Sequence, residues 1–187
     1  MEDKLFVLTI LGTNREGRNS ENVAKFVVSE IDKRDDIGTQ LFDVRDFKFP
    51  QDNYGQKLKD SFPEWRDAVM RADGFIIVVP EYNHGYPGVL KSVLDTMLQE
   101  YYHKAVAFVG VSAGPWGGTR VIENLLPVMR EFRMAVSRMD LQFPSVGSQF
   151  DEDGNIKDDA YHERAKDFLD EIVWLSRAMK WGRDNLS

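Results

Sequence analysis

Three stretches of this chain are apolar almost without interruption and rich in β-branched residues: Lys4–Leu11 (KLFVLTIL), Gly74–Pro80 (GFIIVVP) and Ala105–Ser112 (AVAFVGVS). A strand with one wetted face alternates apolar and polar side chains. A run without alternation is a strand covered on both faces, as in a parallel sheet. Each run is followed by a polar, glycine-containing loop and then by a segment of helical periodicity. After the first, Val23, Phe26, Val27 and Ile31 predict an amphipathic helix from Ser20 to Arg34, with Ser20 as its N-cap. Further helices are expected over Pro63–Ala72, Val89–Leu98, Thr119–Phe132 and Asp159–Trp181, with Pro127 kinking or shortening the fourth. Thr39–Val44 and Met134–Phe143 read as weaker strands, and Phe150–Asp159 as a turn-rich acidic insert. Arg45–Pro63, with Pro50, Asn53 and Gly55, reads as a long surface connection. The alternation β-α, repeated five times, implies an α/β domain with a parallel sheet covered by helices on both faces. No repeat or composition break divides residues 1–187.

Composition narrows the function classes. The chain has 187 residues, long enough to bury a core without staples. It has no cysteine, which removes disulfides, thiol nucleophiles and Cys-ligated metals. Lys plus Arg is 24 against 31 for Asp plus Glu, a formal net charge of −7. That balance argues against general nucleic-acid binding, which needs basic surface. The apolar runs are too short to span a bilayer, and Met1–Lys4 lacks the start of a signal peptide. A soluble, cytoplasmic protein with no membrane or nucleic-acid partner is the expectation. His84, His103 and His162 form no metal-ligand pattern, and Asp151–Gly154 places its glycine too early for a calcium loop.

Ligands of open α/β sheets bind beyond the carboxyl ends of the strands, so the three loops after the three apolar runs are the candidates. The first, Gly12–Asn22 (GTNREGRNSEN), leads into a helix N-terminus, where free N–H groups and the helix dipole favour an anion. Thr13 and Ser20 offer hydroxyls, and Arg15 and Arg18 offer forks suited to phosphate. A solvated connecting loop is an equally good account of spacing alone. Gly12 and Gly17 have the spacing of a triphosphate loop, but Arg18-Asn19 replaces its lysine, and no strand is followed by G-x-G-x-x-G. The second loop, Pro80–Gly88 (PEYNHGYPG), sets two tyrosines, an amide and a histidine between prolines, a surface for a flat aromatic ligand or a packed turn. The third, Ser112–Gly118 (SAGPWGG), has three glycines that let backbone approach a ligand, or that serve a tight turn.

Gly12–Arg15 through Ser20 and Asn22, followed by Pro-Glu-Tyr-Asn-His-Gly-Tyr-Pro-Gly-Val-Leu-Lys at residues 80–91, resembles the NAD(P)H-dependent FMN reductase family, in order over most of the chain. The resemblance implies a flavodoxin-like, doubly wound five-stranded parallel sheet of order 2-1-3-4-5. It implies FMN as cofactor and NAD(P)H as co-substrate, with electrons passing in a ping-pong sequence to a flavin, quinone or similar small-molecule acceptor. Thr13, Arg15, Arg18, Ser20 and Asn22 would then hold the FMN phosphate. Pro80, Glu81, Tyr82, Asn83 and His84 would lie against the isoalloxazine ring, largely through backbone. Ser112, Gly114, Gly117 and Gly118 would approach its pyrimidine side, where backbone N–H groups stabilise the reduced ring. Many members carry serine where Thr13 stands, which keeps the hydroxyl. Trp116 is bulky for such a loop and would shape the substrate side or pack locally.

No side chain is then needed as a catalytic acid, base or metal ligand, because the cofactor carries the chemistry. A flavodoxin-type electron carrier is the alternative, suited by the acidic balance, but the two arginines of the first loop depart from that pattern. A module that keeps the fold without the flavin is another. Val89, Leu90, Val93, Leu94, Met97, Leu98, Leu125, Leu126 and Met129 extend beyond one helical stripe, which predicts two-fold pairing of the third and fourth helices in a homodimer or homotetramer.

Overall fold

The computed structural model describes residues 4–48, 57, 60 and 62–186. Three seven-residue strands form the centre: β1 (Leu5–Leu11), β4 (Gly74–Pro80) and β5 (Ala105–Val111). β4 and β5 are buried at every position, and β1 at six of seven, as unbroken apolar runs require. On one edge, β2 (Ile37–Gly38) and β3 (Leu41–Asp43) both pair with β1. On the other, β6 (Ala135–Val136) and β7 (Leu141–Phe143) both pair with β5. All pairings are parallel, so seven segments occupy five positions in the order 2-1-3-4-5. The doubly wound, flavodoxin-like arrangement expected from the sequence is present.

Two apolar cores flank the sheet. α1 (Ser20–Asp32) and α5 (Ala160–Asn185) cover one face, with Phe26, Tyr161 and Phe168 buried there. α2 (Pro63–Arg71), α3 (Gly88–Leu94) and α4 (Thr119–Glu131) cover the other, around Trp65, Phe75 and Phe108. None of the described helices is long and apolar enough to cross a membrane.

Four sequence expectations are corrected. The expected Thr39–Val44 strand is β3 over Leu41–Asp43, with β2 before it in the same register against β1, and the expected Met134–Phe143 strand is split by a side chain that competes for the backbone. The Ser137 hydroxyl accepts the Met139 N–H at 3.1 Å, turning the chain out of the sheet before Leu141 rejoins it. Between β2 and β3, the Thr39 hydroxyl bonds that of buried Thr9 at 2.8 Å, and the Gln40 carbonyl accepts the Thr9 N–H. α3 ends at Leu94 rather than Leu98, where the buried Thr96 hydroxyl donates back to the Val93 carbonyl and accepts the Trp65 indole N–H. α4 runs through Pro127 to Glu131 without shortening, since Pro127 lies on its exposed face between buried Leu125 and Met129. Ser20 is the first helical residue, not the cap; Asn19 precedes it and makes no side-chain cap bond.

The Arg45–Pro63 connection begins inside the core. Val44 and Phe47 are buried, and Phe47 packs edge-on against Phe62 at 4.9 Å and Trp65 at 5.4 Å. Pro50, Asn53 and Gly55 lie outside the described residues. Of the nine apolar residues assigned to pairing, Leu90, Val93, Leu94, Met97, Leu125 and Met129 are buried within this one subunit. Val89 and Leu126 are half-buried and Leu98 is exposed, because α3 is shorter than its sequence pattern suggests.

Candidate functional site

The carboxyl ends of β1, β4 and β5 fall on one side of the sheet, as the parallel register dictates. The three loops that leave them enclose a cavity of about 220 Å³. Its wall includes Arg15, Gly17, Arg18, Asn19 and Ser20 from the first loop, Pro80, Glu81 and Tyr82 from the second, and Val111, Ser112 and Ala113 from the third, with Val146 beside them. Two wider grooves lie between α1 and α5, either side of a 2.9 Å hydrogen bond between Glu30 and His162, away from the strand ends.

The first loop is held by salt bridges from beneath. Arg18 is buried, and its fork grips the Asp43 carboxylate at the end of β3 while also donating to the Thr13 carbonyl. Burial works against ionisation of Asp43. The Arg18 fork, the Arg45 N–H and the charges of both arginines nevertheless hold its carboxyl below the ordinary range. Arg45 donates to the carbonyls of Asn14 and Arg15. With the carbonyls of residues 13–15 turned toward these two arginines, the N–H groups that follow them point the other way across each trans peptide.

Arg15, by contrast, is exposed at the cavity mouth. Ser20 is buried, and its hydroxyl has no partner although it stands in the cavity wall at the start of α1. An orphaned hydroxyl at a helix N-terminus is suited to an anion, and a buried polar atom left single is costly unless something fills the site. Gly17 adopts φ +63° with no atom within 4 Å of the position a Cβ would take, so space is open there. Thr13 is fully buried. Its hydroxyl bonds the Tyr82 phenol at 2.7 Å and accepts the Arg15 N–H at 3.3 Å, which ties the first loop to the second.

Of the residues singled out from sequence, Arg15, Arg18, Ser20, Pro80, Glu81, Tyr82 and Ser112 therefore share one cavity, with Thr13 one hydrogen bond behind it. Asn22 lies against the turn at Gly154, outside the wall. Asn83 and His84 are exposed beyond Tyr82, both in the left-handed region, at φ +50° and +70°. Gly114 has open space around it, whereas Gly117 and Gly118 are packed down on the sheet. Sequence reading missed Asp43 and Arg120. Asp43 was discoverable from its place at a strand end next to β1; Arg120, on α4, carried no local signal. Among the described residues, no group of three or more His, Cys, Asp or Glu side chains is arranged to hold a metal ion.

A family model described as NADPH-dependent FMN reductase matches residues 5–145. The chain is 27% identical to an FMN-dependent NADPH-azoreductase of Staphylococcus haemolyticus, the match covering 89% of this chain and 92% of that protein. It is 28% identical to the NADH:(hydroxy)cinnamate reductase subunit CrdA of Vibrio ruber, over 88% and 82% of the two chains. Among solved structures, the flavoenzyme NAD(P)H:(acceptor) oxidoreductase FerB of Paracoccus denitrificans superposes with a TM-score of 0.78 at 19% identity, over 94% of this chain and 98% of that one, a likeness of fold.

Proposed function

The chain belongs to the NADPH-dependent FMN reductase family, an oxidoreductase family, and on that footing we propose that its three-loop cavity holds FMN for electron transfer from NAD(P)H to a small flat acceptor. The observation that carries the assignment is the buried, unpartnered Ser20 hydroxyl at the start of α1, in a cavity wall that it shares with exposed Arg15 of the preceding loop. Bound there, FMN would supply the redox chemistry that links NAD(P)H to a second substrate in an alternating sequence. The chain's part is to bind and orient. Arg15 and Ser20 hold the phosphate, with the first-turn N–H groups of α1 behind them. Arg18 acts as a strut rather than a ligand, since Asp43 and the Thr13 carbonyl occupy its fork. Pro80–Tyr82 and Ser112–Ala113 would line the ring; the Glu81, Tyr82 and Ser112 N–H groups already donate to the Val111, Gly85 and Phe143 carbonyls, so those of Ala113 and Gly114 are the backbone donors suited to offset negative charge without a titrating side chain. Relatives named for azo and cinnamate reduction point to conjugated acceptors, and Tyr82 in the cavity wall offers such molecules stacking surface.

FMN should therefore bind in preference to riboflavin. At about 100 times Kd it stabilises the fold by about 2.7 kcal/mol, and Arg15→Ala should weaken it at least tenfold, about 1.4 kcal/mol. Thermal shifts with each flavin, and titration of the variant, are the measurements. Equal shifts from FMN and riboflavin would remove the phosphate assignment. Steady oxidation of NADPH by the purified protein separates an enzyme from a passive electron carrier.

The same reading includes two-fold pairing through α3, the turn that follows it and α4, where Val89, Leu98 and Leu126 in that order keep apolar surface outward. Light scattering at micromolar concentration should give at least twice the 21.5 kDa chain mass. An active, flavin-loaded species of 21.5 kDa would rule this out.

A further inference from the structure

Beside the cavity, one arginine joins two loops in a network that flavin binding leaves unused. Arg120, the second residue of α4, pairs through Nη2 with the Glu81 carboxylate and through Nη1 with His84 Nε2 at 2.7 Å. Glu81 is anchored in the cavity wall, its side chain only 4% exposed. Asn124, one turn along α4, donates from Nδ2 to the His84 carbonyl at 2.7 Å. His84 is thus gripped at both its backbone and its ring, in a left-handed conformation that lifts it into solvent. The Trp116 ring, more than half exposed, lies 5.9 Å from the guanidinium carbon.

A guanidinium carries donors only. The Nε2 atom facing it must accept, so the ring proton of His84 belongs on Nδ1. A cavity of about 220 Å³ is smaller than the roughly 300–1,000 Å³ of sites that enclose whole ligands. A flavin seated there would reach beyond the wall, which Glu81 joins to Arg120 and, through Arg120, to His84. We infer that Arg120 is a positioning residue which fixes His84 as its Nδ1–H tautomer, so that the imidazole presents one N–H donor to a lone pair on the second substrate, a quinone carbonyl or an azo nitrogen. The substrate role rests on the flavin reading above; the tautomer does not.

The test therefore has two arms. In ¹⁵N-labelled, cofactor-free protein, the long-range proton–nitrogen spectrum of three histidines, with His84→Asn to identify the signal, should show His84 protonated at Nδ1. Arg120→Lys keeps a cation on buried Glu81, and so the fold, but lacks the second nitrogen of the fork; its His84 should revert to the Nε2–H form. With FMN, NADPH and menadione, Arg120→Lys should raise the menadione KM about tenfold with a much smaller change in kcat. Combined with His84→Asn, it should add less than twofold to the effect of His84→Asn alone. An Nε2–H tautomer in the wild type, an unchanged KM in either variant, or fully additive effects would each overturn the assignment. A wild type that shows the Nδ1–H tautomer yet never oxidises NADPH in the presence of FMN would instead overturn the flavin reading, and the substrate role with it.

Discussion

Gly118→Ala is expected to lower the unfolding free energy by about 3 kcal/mol, combining the strain of a left-handed alanine with that of an overfilled core. Gly114→Ala, four residues earlier in the same loop, should change it by less than about 0.5 kcal/mol. Gly118 sits at φ +85°, and a Cβ there would meet the Val111 nitrogen at 2.7 Å and the Gly110 Cα at 2.8 Å. Those neighbours are backbone of β5, fixed between β4 on one side and β7 on the other, and cannot move aside. Gly114 has no atom within 4 Å of its Cβ position and no positive φ. Urea denaturation of the two variants checks the contrast. If both unfold at the same midpoint, the close packing of the third loop on β5 does not govern stability. A displaced third loop would also carry Ser112 and Ala113 out of the cavity wall, so the Gly118 variant should bind FMN more weakly than its Gly114 counterpart.

Asp43→Ala should be the next most damaging change, at about 2–3 kcal/mol. Removing one partner of a fully buried ion pair costs about 3–5 kcal/mol, because the other charge is left stranded. Here the Arg18 side chain is 3% exposed but Asp43 is 25% exposed, which brings the expectation down. With the strut gone, the carbonyl of Thr13 loses its fixed partner orientation, and FMN affinity should fall at least tenfold although Asp43 touches no ligand. The pH dependence has a definite sign. The folded Asp43 carboxyl is held below its ordinary 3.8, so its contribution is complete above that value and is lost as pH falls through the lower, folded one. Denaturation of wild type and Asp43→Asn should therefore differ fully at pH 7 and converge in stronger acid. Equal stability at pH 7 would show the pair to be idle.

The central strands were legible because burial on both faces leaves a local mark, an apolar run without alternation, in Leu5–Leu11, Gly74–Pro80 and Ala105–Val111. The edge strands left none. A segment of two or three residues is decided by a single contact, such as the Ser137 hydroxyl that takes the Met139 N–H, and not by a pattern. At the site, loop composition located the cavity, but it did not say which way a charge points. Arg15 and Arg18 look alike in sequence; only the arrival of Asp43 from another strand turns Arg18 inward and leaves Arg15 outside. Gly117 and Gly118 are alike in this respect, since their requirement comes from Gln142, Pro144 and β5, distant in the chain.

Broken edges have a bearing on the behaviour of the chain in crowded solution. Seven-residue apolar strands are the kind of segment that stacks into cross-β fibrils when an edge is offered to another copy. In this sheet all three long strands are interior; on one edge β2 and β3 follow β1 in a single register, and on the other β6 and β7 are two short pieces separated by chain that leaves the ladder. Along the β6–β7 edge no row of free N–H and C=O groups is long enough to template a further strand. On that side, growth of the sheet into another copy is blocked by the same interruption that obscured the edge in the sequence.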